Sequence, residues 1–160
     1  MILVTVGTQL TFDRLIKAVE AWHHNHKDFE IIYQVGKNGY KPALGGVYEY
    51  LEAKQIDQLQ SNARLVIGHA GIGTILSRLS IGRPVVILPR QFEFGEHRND
   101  HQIATARKFS GRSGVYVAYS ESELANAIDQ ALDNITNGGS VGDISELEIS
   151  KFIRDNLGIN

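Results

Sequence analysis

Short apolar runs rich in β-branched residues alternate along this chain with stretches whose apolar residues return every three to four positions. An unbroken apolar run suits a buried strand, whereas a 3.6-residue period suits one face of a helix. "ILVTV" (residues 2–6), "FEIIYQVG" closed by Gly36, "RLVIG", "PVVIL" closed by Pro89 and "GVYVAY" therefore read as strands, with "VYEYL" a further short one. Phe12, Leu15, Ile16, Val19 and Trp22 share one face of a helix that reaches about His23. "EAKQIDQLQSNA", "TILSRLSI" (ended by Gly82), "NDHQIATARKF" and "SESELANAIDQALDNI" supply the other helices. In the last of these, Ser120 and Glu123 have the spacing of a capping box, ahead of a stripe formed by Leu124, Ile128, Ala131, Leu132 and Ile135. Strand and helix in turn predict an α/β protein, a parallel sheet with helices on both faces.

At 160 residues the chain fits one domain, expected over residues 1–136. "TNGGSVGD" reads as a flexible break over residues 137–142, and Asp143 with Glu146 opens a second capping box. An amphipathic helix over residues 143–160 is expected from there, fitted either to pack on its own domain or to dock on a partner. No window approaches the about 18 apolar residues that a membrane span needs. The first residues lack the basic head of a signal peptide and read as a strand. Without cysteine there is no disulfide or thiolate metal site, and a cytoplasmic setting is allowed. A net charge of −2 gives no bulk attraction to nucleic acid or to an anionic membrane, so membrane association is expected only through a partner.

The segment with the most chemistry in it is "GHAGIGT", a glycine turn between a strand and a helix. In open α/β sheets, ligands sit at the carboxyl ends of the strands. The turn glycines, Gly71 and Gly73, allow close backbone approach, and the N–H groups of a helix beginning near Thr74 suit a diphosphate. Thr74 can cap that helix or offer its hydroxyl, and His69 faces the same space. A Walker A ending is absent, and a dinucleotide fingerprint fails because Leu76 stands where its third glycine belongs. Spacing alone is equally compatible with a ligand-free turn.

The stretch "RQFEFGEHRNDHQ" follows the next strand, so its residues emerge at the same rim as His69. Asn99, His101 and Gln102 are the neutral amides and imidazoles that hold sugar hydroxyls, while Glu96 and His97 are acid/base candidates. No metal-ligand spacing is present. His23, His24 and His26, in "HHNH", are assigned to the surface at a helix end, and Trp22 to the core.

Together, "HAGIGTILSRLSIGRPVVILP" and "NDHQ" resemble the donor-binding half of GT-B glycosyltransferases, and the chain is most similar to glycosyltransferase family 28 C-terminal domains. Related UDP-sugar transferases carry His-x-Gly, a few variable residues, an acidic residue, then Gly-x-Pro and a later Asp-Gln or His-Gln. His69, Gly71, Gly82, Pro84 and Gln102 match that scheme, and the likeness runs to about Ile135. Where the family has its acidic residue, this chain has Ser77, which cannot supply a carboxylate's charge-assisted hydrogen bonds to ribose.

The resemblance implies one Rossmann-like half of a GT-B fold and an inverting, UDP-sugar-dependent transferase without a metal or further cofactor. Gly71, Ile72, Gly73 and Thr74 would bind the UDP diphosphate beside His69. Gln102, His101 and Asn99 would contact the sugar, and Gly7, Thr8 and Gln34 would line the cleft. Tyr50 and Leu51 fall near the uracil grip of the family.

A chain that starts at the donor half is similar to the small subunit of split glycosyltransferases. These include the eukaryotic two-part transferase of dolichyl diphosphate-linked GlcNAc and the bacterial pairs of exopolysaccharide and capsule assembly. "GEHRNDHQ" is most like the bacterial subunits. The implied partners are a membrane-associated acceptor-binding subunit that recruits the chain to the inner membrane face and a lipid-linked saccharide. The isolated chain is expected to be catalytically incomplete and able to self-associate. Competing readings are a non-catalytic nucleotide-sugar-binding or activating subunit, a sugar-nucleotide epimerase and a flavodoxin-like module.

Overall fold

A computed structural model describes residues 1–139, 141, 150 and 151. Six strands, β1 (Ile2–Thr5), β2 (Ile31–Gln34), β3 (Gly46–Tyr48), β4 (Leu65–His69), β5 (Val85–Leu88) and β6 (Val115–Val117), form one sheet of order β3-β2-β1-β4-β5-β6. All five pairings are parallel, as the unbroken apolar runs require of a sheet covered on both faces. Among the described residues the sheet is flanked by α1 (Asp13–His24), α2 (Ala53–Asn62), α3 (Ile72–Leu79), α4 (His101–Phe109) and α5 (Glu121–Thr136), with a 3-10 turn at Phe92–Phe94.

Alternation along each strand divides the core. Ile2, Val4, Val6, Ile67, Val86 and Leu88 pack with Leu15, Ile16 and Val19 of α1 and Leu124 and Ile128 of α5. Leu3, Val66, Val85 and Ile87 face the other way, onto Ile75 and Leu79 of α3 and Phe109 of α4. The chain winds outward from β1 to β3, returns beside β1 as β4, and winds outward again to β6. The order reverses between β1 and β4, which opens a crevice at their carboxyl ends.

Several local expectations shift. Helix α3 starts at Ile72 with Gly71 as its N-cap, so Thr74 lies inside the first turn and does not cap. Ser120 is the N-cap of α5, but its hydroxyl bonds Ser122, and Glu123 accepts from the N–H of Tyr119 at 2.9 Å. The box does not form: only the return bond from Glu123 is made, to the N–H one residue before the N-cap. His23 is buried at 4% exposure, not superficial: Nε2–H meets the Phe29 carbonyl at 3.0 Å and Nδ1 accepts from Tyr33 at 3.3 Å. Its burial follows from its place on the α1 face that turns to β2. Trp22 is core, and its Nε1–H reaches Asp129 of α5 at 2.8 Å.

Asn137 and Gly139 bond back to the last turn of α5, and Val141 sits against Gly114. The helix expected over residues 143–160 lies outside the described residues, apart from Ser150 and Lys151, which are helical. Among the described residues no helix is long and apolar enough to cross a membrane.

At the amino end of the sheet, Arg78 of α3 is fully buried. It donates to the carbonyls of Ala63 (3.0 Å), Pro84 (3.3 Å) and Gln60, tying the end of α2 to the starts of β4 and β5. Burial lowers its pKa to about 10, so it stays charged at neutral pH. Arg78→Met is expected to destabilise the fold by about 2 kcal/mol, because three carbonyls lose their donor while a buried charge is relieved. Urea unfolding measures this, and an unchanged midpoint would contradict the role.

Candidate functional site

The crevice between β1 and β4 is filled at its base by the imidazole of His69. Because Thr5 pairs with Gly68 across the two strands, His69 emerges one residue beyond, level with the exit of β1. A Cβ on Gly7 would stand 2.7 Å from Cε1 of that ring, and a Cβ on Gly71 would overlap Nε2. Both glycines therefore make room for a side chain. From the sequence, Gly71 and Gly73 are expected to serve a ligand by backbone freedom. In the structure Gly71 has an ordinary φ of −84°, and its missing Cβ leaves space for the ring. Gly7 has a φ of +79°, the left-handed region that suits glycine.

Nδ1 of His69 is buried and has no hydrogen-bond partner among the described residues. Burial first, then the nearby charges of Arg90 and His97, lower its pKa to about 4, with the Thr5 backbone working weakly the other way. The ring is neutral at physiological pH and acts as a hydrogen-bonding group.

Beside it, α3 begins. The first intrahelical bond runs from Ile75 N–H to the Gly71 carbonyl at 3.2 Å, and no side chain caps the helix. The N–H groups of Ile72, Gly73 and Thr74 thus lack acceptors among the described residues. Among the described residues nothing lies within 4 Å of a Cβ position at Gly73, so this end of the dipole opens outward. Ser77 is exposed one turn further along. An anion fits here.

The remaining candidates sort by what already holds them. Gln34 is buried: Oε1 accepts from Thr5 Oγ1 at 2.7 Å and Nε2 donates to the Gly7 carbonyl at 3.1 Å. It braces the exit of β1 from within. Thr8 is exposed beside Gly7. Gln102, in the first turn of α4, uses Oε1 to accept the Arg90 N–H at 3.0 Å. Asn99 Oδ1 lies 3.1 Å from His97 Nδ1 and accepts the His101 N–H at 3.3 Å. His101 is exposed, and Tyr50, past β3, is 74% exposed.

Glu96 is not a free carboxylate. Arg14 of α1 grips it through two bonds of 2.7 and 2.8 Å, and Oε2 also accepts the Gln91 N–H at 2.9 Å. The Arg14 guanidinium lies 4.9 Å from the Phe94 ring centre and bonds the Pro89 carbonyl at 2.9 Å. Arg90 is buried and donates to carbonyls of the β1 exit loop. Neither arginine has an expected role in the sequence. The one available signal was an arginine directly after the wholly apolar "PVVILP".

A sequence profile of the glycosyltransferase family 28 C-terminal domain matches residues 1–152. The chain is 31% identical over 108 residues to the UDP-N-acetylglucosamine--N-acetylmuramyl-(pentapeptide) pyrophosphoryl-undecaprenol N-acetylglucosamine transferase of Geobacillus kaustophilus, covering 65% of this chain and 29% of that protein. It is 31% identical over 121 residues to the mouse UDP-N-acetylglucosamine transferase subunit ALG13, covering 66% of this chain and 9% of that protein. It thus spans less than a third of either relative. The solution NMR structure of ALG13 superposes with a TM-score of 0.61 at 20% identity, over 96% of this chain and 92% of that one, which shows a shared fold.

Proposed function

The chain belongs to the glycosyltransferase family 28 C-terminal domain family, and on that premise we propose that it is the donor-binding part of a UDP-sugar-dependent glycosyltransferase. The observation that carries this is the open start of α3, where among the described residues three N–H groups lack acceptors beside the buried, unpartnered Nδ1 of His69. In this reading the UDP diphosphate lies against Ile72, Gly73 and Thr74, Tyr50 stacks on uracil, and the sugar meets Gln102, His101 and Asn99. As the bond to the anomeric carbon breaks, charge builds on the leaving UDP. Backbone donors aimed there beforehand stabilise it, each worth about 3 kcal/mol in comparable anion holes. No cofactor enters the proposal.

The transfer inverts the anomeric centre, which requires a base on the acceptor hydroxyl. Glu96 is engaged by Arg14 and His97 lies against Asn99, which favours a base supplied by a second, acceptor-binding subunit. That partner would bring the chain from the cytoplasm to the inner membrane face, where a lipid-linked saccharide of exopolysaccharide or capsule assembly is the acceptor. Supporting a partner, Leu10 (49%), Phe92 (61%) and Phe94 (55%) stand exposed on the two loops that Arg14 and Arg90 tie together, and aromatic groups among arginines are what protein interfaces bury. The same surface would let the isolated chain self-associate. The mouse relative is named as a subunit.

The alternative is a nucleotide-sugar-binding or activating subunit whose partner carries all the chemistry, favoured by Ser77 and by the engagement of Glu96. Calorimetry of the chain with UDP, UDP-glucose, UDP-galactose, UDP-glucuronate and UDP-GlcNAc tests the donor site, and one sugar nucleotide is expected to bind best. NMR should place the largest amide shifts at Ile72, Gly73 and Thr74. No heat with any of these ligands, or shifts confined elsewhere, would defeat the reading. Transfer by the chain without a partner would defeat the two-subunit part alone.

A further inference from the structure

Burying an arginine without a carboxylate facing it is costly, and Arg90 stands in that position at 2% exposure. The nearby Glu96 carboxylate is held by Arg14 and by the Gln91 N–H. The Arg90 guanidinium instead donates to the carbonyls of Thr11 (2.6 Å), Leu10 (2.7 Å) and Val6 (2.9 Å), with a longer contact to that of Glu96 (3.4 Å). It lies 4.6 Å from the Phe12 ring centre, and its own backbone N–H is fixed by Gln102.

One side chain from the end of β5 thus gathers the exit loop of β1 on both sides of Gly7. Gln34 holds the loop at the Gly7 carbonyl, while Thr8, Gln9 and Leu10 beyond it are exposed, so Arg90 is what fixes the far side. A planar fork of five donors can serve several carbonyls at once, which an ammonium on a flexible stem cannot do in fixed geometry. Gly7, inside the gathered loop, is the residue against which the His69 ring packs.

We propose that Arg90 is a positioning residue: it fixes residues 7–11 against His69 and the start of α3, and thereby sets the affinity of that site for a nucleoside diphosphate. The proposal rests on the donor-site reading above.

UDP is the probe, titrated calorimetrically into the full chain as wild type, R90M, R90K and R78M. A loop left loose must be ordered on binding, which costs affinity, so R90M is expected to weaken UDP by about tenfold or more. R90K retains the charge without the fork and should fall between R90M and wild type. R78M loses the other buried arginine, at the opposite end of the sheet, and should bind UDP as wild type does. The His69 ring, followed by NMR, tests that Arg90 faces the site, and R78M is the control for lost stability. The groups facing it are Arg90, His97 and the Thr5 backbone. Removing the Arg90 charge should raise its titration midpoint in R90M, and R78M should leave it in place.

Equal UDP affinity in wild type, R90K and R90M overturns the proposal, as does an unmoved His69 midpoint. Should R90M fail to fold, R90K decides by the same comparison. Absence of UDP binding by the wild type overturns the donor-site reading itself, an outcome distinct from equal affinities.

Discussion

Gly7→Ala is expected to lower the stability of the fold by about 3 kcal/mol, and Gly71→Ala by about 2 kcal/mol. Both put a methyl group into the His69 imidazole, which is trapped between the two glycines. Gly7 bears a further penalty, because its φ of +79° is a left-handed conformation costing an L-residue about 1–2 kcal/mol. Gly71, with a φ of −84°, accepts alanine without backbone strain, so its cost is steric alone. A double-mutant cycle isolates the contact. In Gly71→Ala/His69→Ala the clash is gone, and a coupling of about 2 kcal/mol is expected between the two sites. Urea unfolding of the two single variants and the double variant reads it directly. Strictly additive losses would mean that the ring is free to move and that Gly71 serves some other purpose.

The second large effect is on the pH dependence of stability, and its sign follows from the His69 shift. The folded chain holds this imidazole at about 4, against 6.5 for an unperturbed one. Above pH 6.5 neither state is protonated there, and the full stability is present. Between 6.5 and 4 the unfolded chain takes up a proton that the folded chain refuses, so stability falls as the pH falls. Below about 4 both states are charged and the loss levels off. The sum is about 3 kcal/mol at pH 4 relative to pH 7. Other groups titrate over the same range, but they do so equally in His69→Leu. The wild type should therefore lose about 3 kcal/mol more than that variant when unfolding is compared at pH 7 and pH 4. Parallel losses would show that His69 is solvated in the folded state.

Both effects bear on the proposed site. A neutral imidazole beside a helix N-terminus offers a hydrogen bond rather than a charge, so affinity for a diphosphate would rest on the α3 N–H groups and on the fixed loop opposite. The rigidity of that loop comes from Arg90 and from Gln34, two side chains turned inward.

Periodicity was enough to place the strands and helices, because each pattern is carried by neighbouring residues. The wholly apolar "LVI" (residues 65–67) and "PVVIL" demand burial on both faces, hence a parallel sheet. "GHAGIGT" was likewise readable as a turn opening a helix, and the start of α3 at Ile72 differs from the expected start by two residues. Local pattern misled where burial is decided by a neighbouring element. The sequence assigns His23 to the surface at a helix end, yet β2 and the Phe29 carbonyl enclose it.

By itself, then, the amino-acid order determined the alternation of elements, the parallel sheet and the strand-to-helix turn that leaves backbone donors open. Tertiary structure decided who keeps company with whom: that Gly7 and Gly71 make room for His69, that Glu96 belongs to Arg14 across 82 positions of chain, and that Arg90 reaches back 84 positions to Val6. Such partnerships depend on which strand ends become neighbours once the sheet reverses its order between β1 and β4, and no local period encodes that adjacency.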